Sequence, residues 1–411
     1  MFLFKFCLIS FVALVTAHSS GENVVSNVVV SFSQNGNETV QPHCVNTRFV
    51  VKNRQDLYSI LDCKVLKGNL EIIDYEDPIL TFPHLNYLDG SLLIRQSPHL
   101  IRIEAQELSR ITGGFSMEKL TSLAMVVMPA LTSVKFLEWR VLPIFGNLKL
   151  GELTGVESVI ISDTSLAKLT VSSADVMRNL DLNNNRFLEF IKFDVKHIND
   201  LLHIGANGRN AIVDLDLLQS AHNMSIHNVA DIKISNLELI KGSASIINNS
   251  FHSINFTNLE NVEGTLSIAQ NDQLALANFP SVSEIGGGLS IVNNTFLQSI
   301  SFFPKLNVIG GALDLVGNIR YASWDKLKLV KGSARLTTTV PTFDCKKWAQ
   351  RDVGTIIRGG KIECFISLPS SKDEGNVLSQ PPKVALHSGS NLLSINVGWI
   401  VVAVLSAFIG N

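Results

Sequence analysis

Two histidines, His203 and His227, stand a coil's length apart in this chain, and several carboxylates are spread along it: Glu71, Glu118, Asp181, Asp314 and the close pair Asp214 and Asp216. Two carboxylates about 5 to 9.5 Å apart would serve glycosidic cleavage, one as acid and the other as base or nucleophile. Two imidazoles joined by a carboxylate would hold a metal ion or relay a proton. Four serines, Ser225, Ser245, Ser267 and Ser290, recur at nearly even spacing and would present a strip of hydroxyls to a polar polymer. Which of these groups meet depends on the elements that carry them.

Those elements are dictated by a repeat of 20 to 24 residues, an apolar-any-apolar triplet followed by a turn rich in Asn, Gly or Asp, as in Leu266-Ser-Ile268 and Leu289-Ser-Ile291. A fixed period of this size is the signature of a solenoid. The closing residues of the triplets are Ile72, Ile94, Met117, Ile161, Leu182, Ile204, Ile226, Ile246, Ile268, Ile291 and Leu315, with a degenerate coil near Leu137 filling the long gap after Met117. No 3.6-residue period runs through the repeats, so the coils are strands and not helices. The expected fold is all-β, a right-handed parallel β-helix-like solenoid of about twelve coils of 20–24 residues.

Strand side chains alternate, so the first and third triplet residues face the core and the middle ones face outward. The middle row runs Glu71, Leu93, Ser116, Ile160, Asp181, His203, Ser225, Ser245, Ser267, Ser290, Asp314. Gly68, Gly90, Gly113, Gly242, Gly264, Gly287, Gly311 and Gly332, about two residues before the triplets, are expected to turn the corner with positive φ. The turn residues Asn184, Asn249, Asn271, Asn294 and Asn318, with Asn207 and Asn228 nearby, are expected to form an amide ladder from coil to coil.

On this scaffold the chemistry thins out. Glu118 and Asp181 lie about three coils apart, ~14 Å at the strand spacing, too far for a glycosidase pair. Asp214 and Asp216 belong to an Asp-Leu-Asp-Leu run that reads as a solvated face. No carboxylate is expected in the register of His203 and His227, which read as surface histidines. There is no Gly-X-Ser-X-Gly elbow, phosphate loop or His-Glu-X-X-His. The reading is of a protein without catalytic residues, cofactor or metal, and Ser225, Ser245, Ser267 and Ser290 remain as a candidate binding strip for glucan or mannan chains.

Both ends carry processing signals. Residues 1–19 have the layout of a secretory signal peptide, with Lys5, an apolar stretch and a Val15-Thr16-Ala17 terminus. Residues 20–43 form an N-terminal segment, 44–364 the solenoid, and 365–388 a short Ser/Pro linker. Residues 389–411 end in an apolar tail too short for a membrane span and without a basic flank. Small residues followed by such a tail match a glycosylphosphatidylinositol (GPI) attachment signal. Ser388 is the expected attachment residue, with Gly389, Ser390 and Asn391 as alternatives.

Secretion implies an oxidising compartment. Four cysteines remain once Cys7 leaves with the signal, and because the ends of a solenoid are far apart, Cys44 with Cys63 and Cys345 with Cys364 are the reasonable pairs, one stapling each cap. Sequons at Asn37, Asn223, Asn248, Asn255 and Asn293 are expected glycan sites, and Asn248 and Asn293 fall at equivalent turn positions. Lys+Arg 34 against Asp+Glu 36 leaves a net charge of −2 without a basic stripe, which excludes nucleic acid as a partner.

The run Ser162-Asp163-Thr164-Ser165-Leu166, the turns Leu182–Leu188 and Ile247–Ser250, the Glu284-Ile285-Gly286-Gly287-Gly288 corner and the closing Asp344-Cys345 resemble the fungal GPI-anchored cell-wall and sporulation-specific proteins. Their repeats are similar to the receptor L domains of growth-factor receptors and are leucine-rich-repeat-like. The resemblance covers nearly all of 44–364. It implies a non-enzymatic surface protein at the outer leaflet of the plasma membrane or in the cell wall, needed for wall organisation or for assembly of the ascospore wall, with wall polysaccharide or wall proteins as partners. The chain lacks the long Ser/Thr-rich stalk of the vegetative members, which favours a sporulation-type role. A receptor-like ligand-binding ectodomain and a wall-polysaccharide-remodelling enzyme are the alternatives.

Overall fold

The apolar ends of each triplet point into one continuous interior. In the computed structural model, which describes residues 40–172 and 175–367, fifteen strands from Val45–Val51 to Ile362–Ile366 each pair in parallel with the next. The closing triplet residues stack in register from Val51 through Ile72 and Ile94 up to Leu315 and Leu336. The stack therefore runs past both ends of the twelve coils read from the sequence, with Val45–Val51 below the Ile72 coil and Ala334–Thr338 and Ile362–Ile366 above the Leu315 coil. The coil that looks degenerate is regular: Leu137-Glu138-Trp139 sits between the Met117 and Ile161 coils, and Trp139 is fully buried at the closing position.

Shorter strands build the second wall. Ile79–Thr81, Arg102–Glu104, Met125–Met128 and Asn147–Leu150 form one parallel sheet, and Lys168–Val171, Phe190–Phe193, Ile212–Asp214 and Asp231–Lys233 form another. Higher up, this wall thins to the pairs Ser253–Asn255 with Leu276–Asn278 and Ser299–Ile300 with Tyr321–Ala322. There the interior is filled by a column of rings in which Phe279 stacks on Phe256 and Phe303, each at 4.9 Å between centroids. Each such ring contributes roughly 1.5–3 kcal/mol by leaving water.

The corners correct two expectations. Among the corner glycines, only Gly68 takes a positive φ, 132°. The others are required for space: a Cβ on Gly90 would lie 2.1 Å from the Gly68 carbonyl oxygen, and one on Gly264 would lie 2.6 Å from that of Gly242. The left-handed positions come instead two residues after the closing triplet residue, one per coil from Asp74 (φ 52°) to Asn293 (φ 55°), including Asn184 and Asn228. The amide ladder lies one residue further on. Asn185, Asn207, Asn249, Asn271 and Asn294 are buried. Asn271 Oδ1 accepts from the Asn249 backbone N–H and side-chain Nδ2, each at 3.0 Å, and Asn271 Nδ2 donates to Asn294 Oδ1 at 3.0 Å and the Ile246 carbonyl at 2.9 Å. Asn184 and Asn228 are exposed corner residues, and Asn318 makes no bond within this ladder among the described residues.

Both ends are stapled as expected. Cys44–Cys63 and Cys345–Cys364 are disulfides with Cα separations of 5.8 and 5.5 Å. The first is buried beneath the helix Arg54–Tyr58, which is capped by Asn53 accepting from the Asp56 N–H. The second holds the segment carrying Trp348, which is buried over the last coil. His43 stands beside Cys44 and Cys63, but sulfurs bonded to each other supply no thiolate for a metal.

Candidate functional site on the outer face of the large sheet

The outward residues of the stacked strands form three parallel rows along the solenoid. The central row places Ser225, Ser245, Ser267, Ser290 and Asp314 in direct register on successive coils. Strand spacing sets consecutive serines ~4.8 Å apart. Alongside them Ile247, Ala269, Val292 and Val316 form an aliphatic row, also in register and half-buried. On the other flank lie Asn223, Ser243 and Thr265, bridged by hydrogen bonds: Ser243 N–H donates to Asn223 Oδ1 at 3.1 Å, and Thr265 N–H to Ser243 Oγ at 3.1 Å. Ser245, Ser267 and Ser290 have no side-chain hydrogen-bond partner among the described residues, so their hydroxyls face solvent ready to bond. The upper end is closed by Arg335, which grips Asp314 with two hydrogen bonds of 2.8 and 2.7 Å. These bonds and the nearby Glu363 charge raise the Arg335 pKa.

The lower end holds the one cluster that sequence reading missed. Asp181 is the direct register neighbour of His203, and its Oδ1 lies 3.2 Å from His203 Nδ1. The carboxylate that was not expected beside the histidines is therefore present. Asn183 Nδ2 donates to the same oxygen at 2.8 Å. Burial pushes the Asp181 carboxyl up, but the hydrogen bonds from His203 and Asn183, with the charges of His203 and Arg140, outweigh it and hold the group below the usual carboxylate range. Ser225 Oγ lies 2.7 Å from His227 Nε2, and the His203 and His227 rings meet edge to face at 6.1 Å. Burial first, and the His203 charge second, depress the His227 pKa. The signal was present in the sequence, since Asp181 and His203 are consecutive in the outward row.

The parts of a Ser-His-Asp relay are thus near one another but wired to different rings. The carboxylate orients His203, while the serine hydroxyl bonds His227. No single imidazole is both held by the carboxylate and bonded to the serine, which a triad requires. The remaining outward acids are engaged in ion pairs: Glu71 takes a bidentate bond from Arg48 at 2.7 and 2.6 Å, Glu118 pairs with Lys119 at 3.0 Å, and Glu138 with Arg140 at 3.1 Å. Asp214 and Asp216 sit on the second wall, where Asp216 caps the next coil by accepting from the Ser235 N–H.

The sequons fall on different surfaces. Asn223 shares the outer face with the serine row. Asn248 and Asn293 are exposed left-handed corner residues, both with φ 55°, two coils apart with Gln270 between them. Asn255 is exposed on the second wall, where its Oδ1 accepts from the Thr257 hydroxyl at 3.0 Å. Asn37, Ser388, the signal peptide and the C-terminal tail lie outside the described residues. Among the described residues, no helix is long and apolar enough to cross a membrane.

A family model for the receptor L domain matches residues 258–322, the coils that carry the upper serines. The chain is 33% identical to sporulation-specific protein 22 of Saccharomyces cerevisiae over 87% of its own length and 80% of that protein. The chain belongs to this fungal family. It is also 31% identical to sporulation-specific protein 2 of the same yeast, over 83% of this chain and 70% of the relative. It is 27% identical to the protein ecm33 of Aspergillus fumigatus, over 79% and 81%. No solved structure gives a significant match. Further relatives of this sporulation and Ecm33 family are named as cell-surface GPI-anchored or cell-wall proteins, including one from Arthroderma benhamiae at 28% identity. The outer-face rows are thus features of a family member whose relatives work at the fungal surface.

Proposed function

We propose that the chain is a GPI-anchored glycoprotein of the fungal cell surface that organises the wall, in particular the spore wall, by binding wall polysaccharide on the upper half of its outer face and not by catalysis. The observation that carries this reading is the uncharged hydroxyl row Ser225 to Ser290 beside the aliphatic row Ile247 to Val316. A hydroxyl recurring at each coil offers a bond to each successive unit of an extended sugar chain, and the aliphatic row offers a face for its apolar side. An extended strand face of this kind leaves both ends of a long polymer free, as a scaffold needs.

Family membership supports attachment through the C-terminal signal at Ser388, and Asn37, Asn223, Asn248, Asn255 and Asn293 are the proposed glycan sites. A glycan on Asn223 would stand beside the lower end of the strip, so docking is assigned to Ser245, Ser267 and Ser290. The wiring of the histidine cluster supports a non-catalytic role.

Retention of the secreted protein on insoluble β-glucan and mannan tests the reading. The variant S245R/S267R/S290R leaves the Asn223 sequon intact and is expected to lose at least ~10-fold in retention while keeping its melting temperature. Unchanged retention would sink the strip. New reducing ends that vanish on His227→Gln would instead establish an enzyme.

A further inference from the structure

One corner of the solenoid is cut short. The coil of Ile226 passes through the left-handed Asn228 and the buried Val229 and reaches its side strand, Asp231–Lys233, through Ala230 alone. The coil below runs through 208–211 between the buried Asn207 and the strand Ile212–Asp214, and the coil above through 250–252 between the buried Asn249 and the strand Ser253–Asn255. The side strands keep their register across the shortened coil: Ile212 pairs with Asp231, and the Ala230 N–H donates to the Ala211 carbonyl at 2.8 Å. The shortening therefore appears as a notch in the corner, of about 630 Å³, within the roughly 300–1,000 Å³ of small-molecule sites. Apart from Ala206 every residue lining it is polar, with Arg209 from the coil below and Asn248, Gln270, Asp272 and Gln273 from the coils above. These five are exposed. The side chains of Arg209, Asn248, Gln270 and Gln273 make no hydrogen bond or ion pair among the described residues, and Asp272 accepts from the Thr295 hydroxyl at 2.8 Å. Carboxamides donate and accept, a guanidinium donates and a carboxylate accepts, so the set can pair with the hydroxyl and acetamido groups of a sugar in either direction.

We infer that the notch seats the first sugars of the protein's own glycan on Asn248, so that this glycan lies against the corner and not over the polysaccharide strip. The inference rests on the reading of Asn248 as a glycan site. Asn248 is at once the asparagine of the sequon Asn248-Asn249-Ser250 and part of the notch lining, so a sugar joined to its Nδ2 starts at the site. The next residue fixes the attachment point, because Asn249 Nδ2 donates to Asn271 Oδ1 at 3.0 Å and to the Ile226 carbonyl at 3.1 Å inside the ladder. A covalent tether also makes docking intramolecular, so contacts too weak to hold a free sugar are enough. Asn293 supplies the contrast. It has the same φ of 55° and its own sequon, but its corner is not cut short: the coil below runs through 272–275 to its side strand and its own coil through 295–298. The direction of docking matters for the strip. Ile247, which opens the aliphatic row, precedes the corner, whereas Arg209, Asp272 and Gln273 follow it on the way to the second wall. A glycan held by those three leaves Ser245 and Ile247 open.

Site-resolved endoglycosidase digestion of the native, full secreted protein tests this. The enzyme cuts between the first two sugars, and mass spectrometry reads the single sugar left on each asparagine. Cleavage needs the undocked glycan, so the Asn248 glycan is expected to be cut ~10-fold more slowly than the one on Asn293. R209A/Q273A is expected to bring the two rates together without changing the rate at Asn293, and heat-denatured protein to show no difference between the sites. Equal rates in the native protein would overturn the inference, and so would slow cleavage at Asn248 that persists in R209A/Q273A. Lower β-glucan retention in R209A/Q273A with unchanged cleavage would overturn it by assigning the notch to the wall polymer. An Asn248 found bare before any digestion would overturn the glycan reading at that site, and the inference with it.

Discussion

From Arg48 to His203 the outer face of the large sheet carries charges in partnered sets: Arg48 with Glu71, Arg140 with Glu138, Asp181 with His203. From Ser225 to Ser290 the same row on the same backbone carries only hydroxyls. The interior makes no such distinction, since closing residues from Ile72 to Leu336 are apolar and fully or almost fully buried throughout. The core constrains every coil equally because each must stack on its neighbours. The outward rows answer to no such demand, so they are free to change character along the stack. The charged half satisfies itself, while Ser245, Ser267 and Ser290 keep hydroxyls without a side-chain partner among the described residues, as the proposed docking requires.

The sharpest challenge to an interior that is uniform in its demands is a single ladder residue. Asn271→Ala removes the acceptor of two bonds from Asn249 and the donor of two more, leaving buried polar groups unpaired at a cost of about 3 kcal/mol. Urea unfolding is expected to show this loss, whereas Asn248→Ala at the exposed corner beside it should shift the midpoint far less. The two outer halves are separated next. S245R/S267R/S290R should cost ~10-fold or more in polysaccharide retention, about 1.4 kcal/mol; L93R/S116R, in the same row of the charged half, should leave retention unchanged. Equal losses from both variants would erase the distinction between the halves.

The junction between them responds to acid. His227 is held below its ordinary value of 6.5, so as pH falls the unfolded chain takes up the proton first and stability drops below about pH 6.5. Asp181, also depressed, adds a further loss as pH falls through and below the ordinary carboxylate value of 3.8. Urea midpoints between pH 7.5 and pH 5 should therefore slope more steeply in the natural protein than in His227→Gln. The smallest effect is expected at the top of the strip. Arg335→Ala breaks a well-formed but largely solvated pair and should cost under about 1 kcal/mol.

The sequence made the rows legible because period and alternation are properties of residue type alone. Both cysteine pairs followed from the separation of the solenoid's ends, which needs no coordinates. What it obscured depended on neighbours across coils. The corner glycines are chosen for contact with the coil below, as Gly90 against Gly68 shows, and a single strand contains no record of that approach. Asp181 and His203 were adjacent in the outward row, yet their meeting required treating the row as a column in space. The break between the two four-stranded side sheets left no periodic trace, because Leu148 and Leu169 keep the apolar pattern on either side of it.

Each disulfide spans 19 residues of sequence and closes within its own end of the molecule. Such local closure carries a consequence for biogenesis. As the chain emerges into an oxidising lumen, Cys44 meets Cys63 before Cys345 and Cys364 have been made, so mispairing is avoided by order of arrival. The sealed first coil then presents a finished edge on which each later coil assembles as it appears, with contacts only about one coil away in sequence. The last bridge can form only when the final coil is in place, and with it no free thiol is left among the described residues.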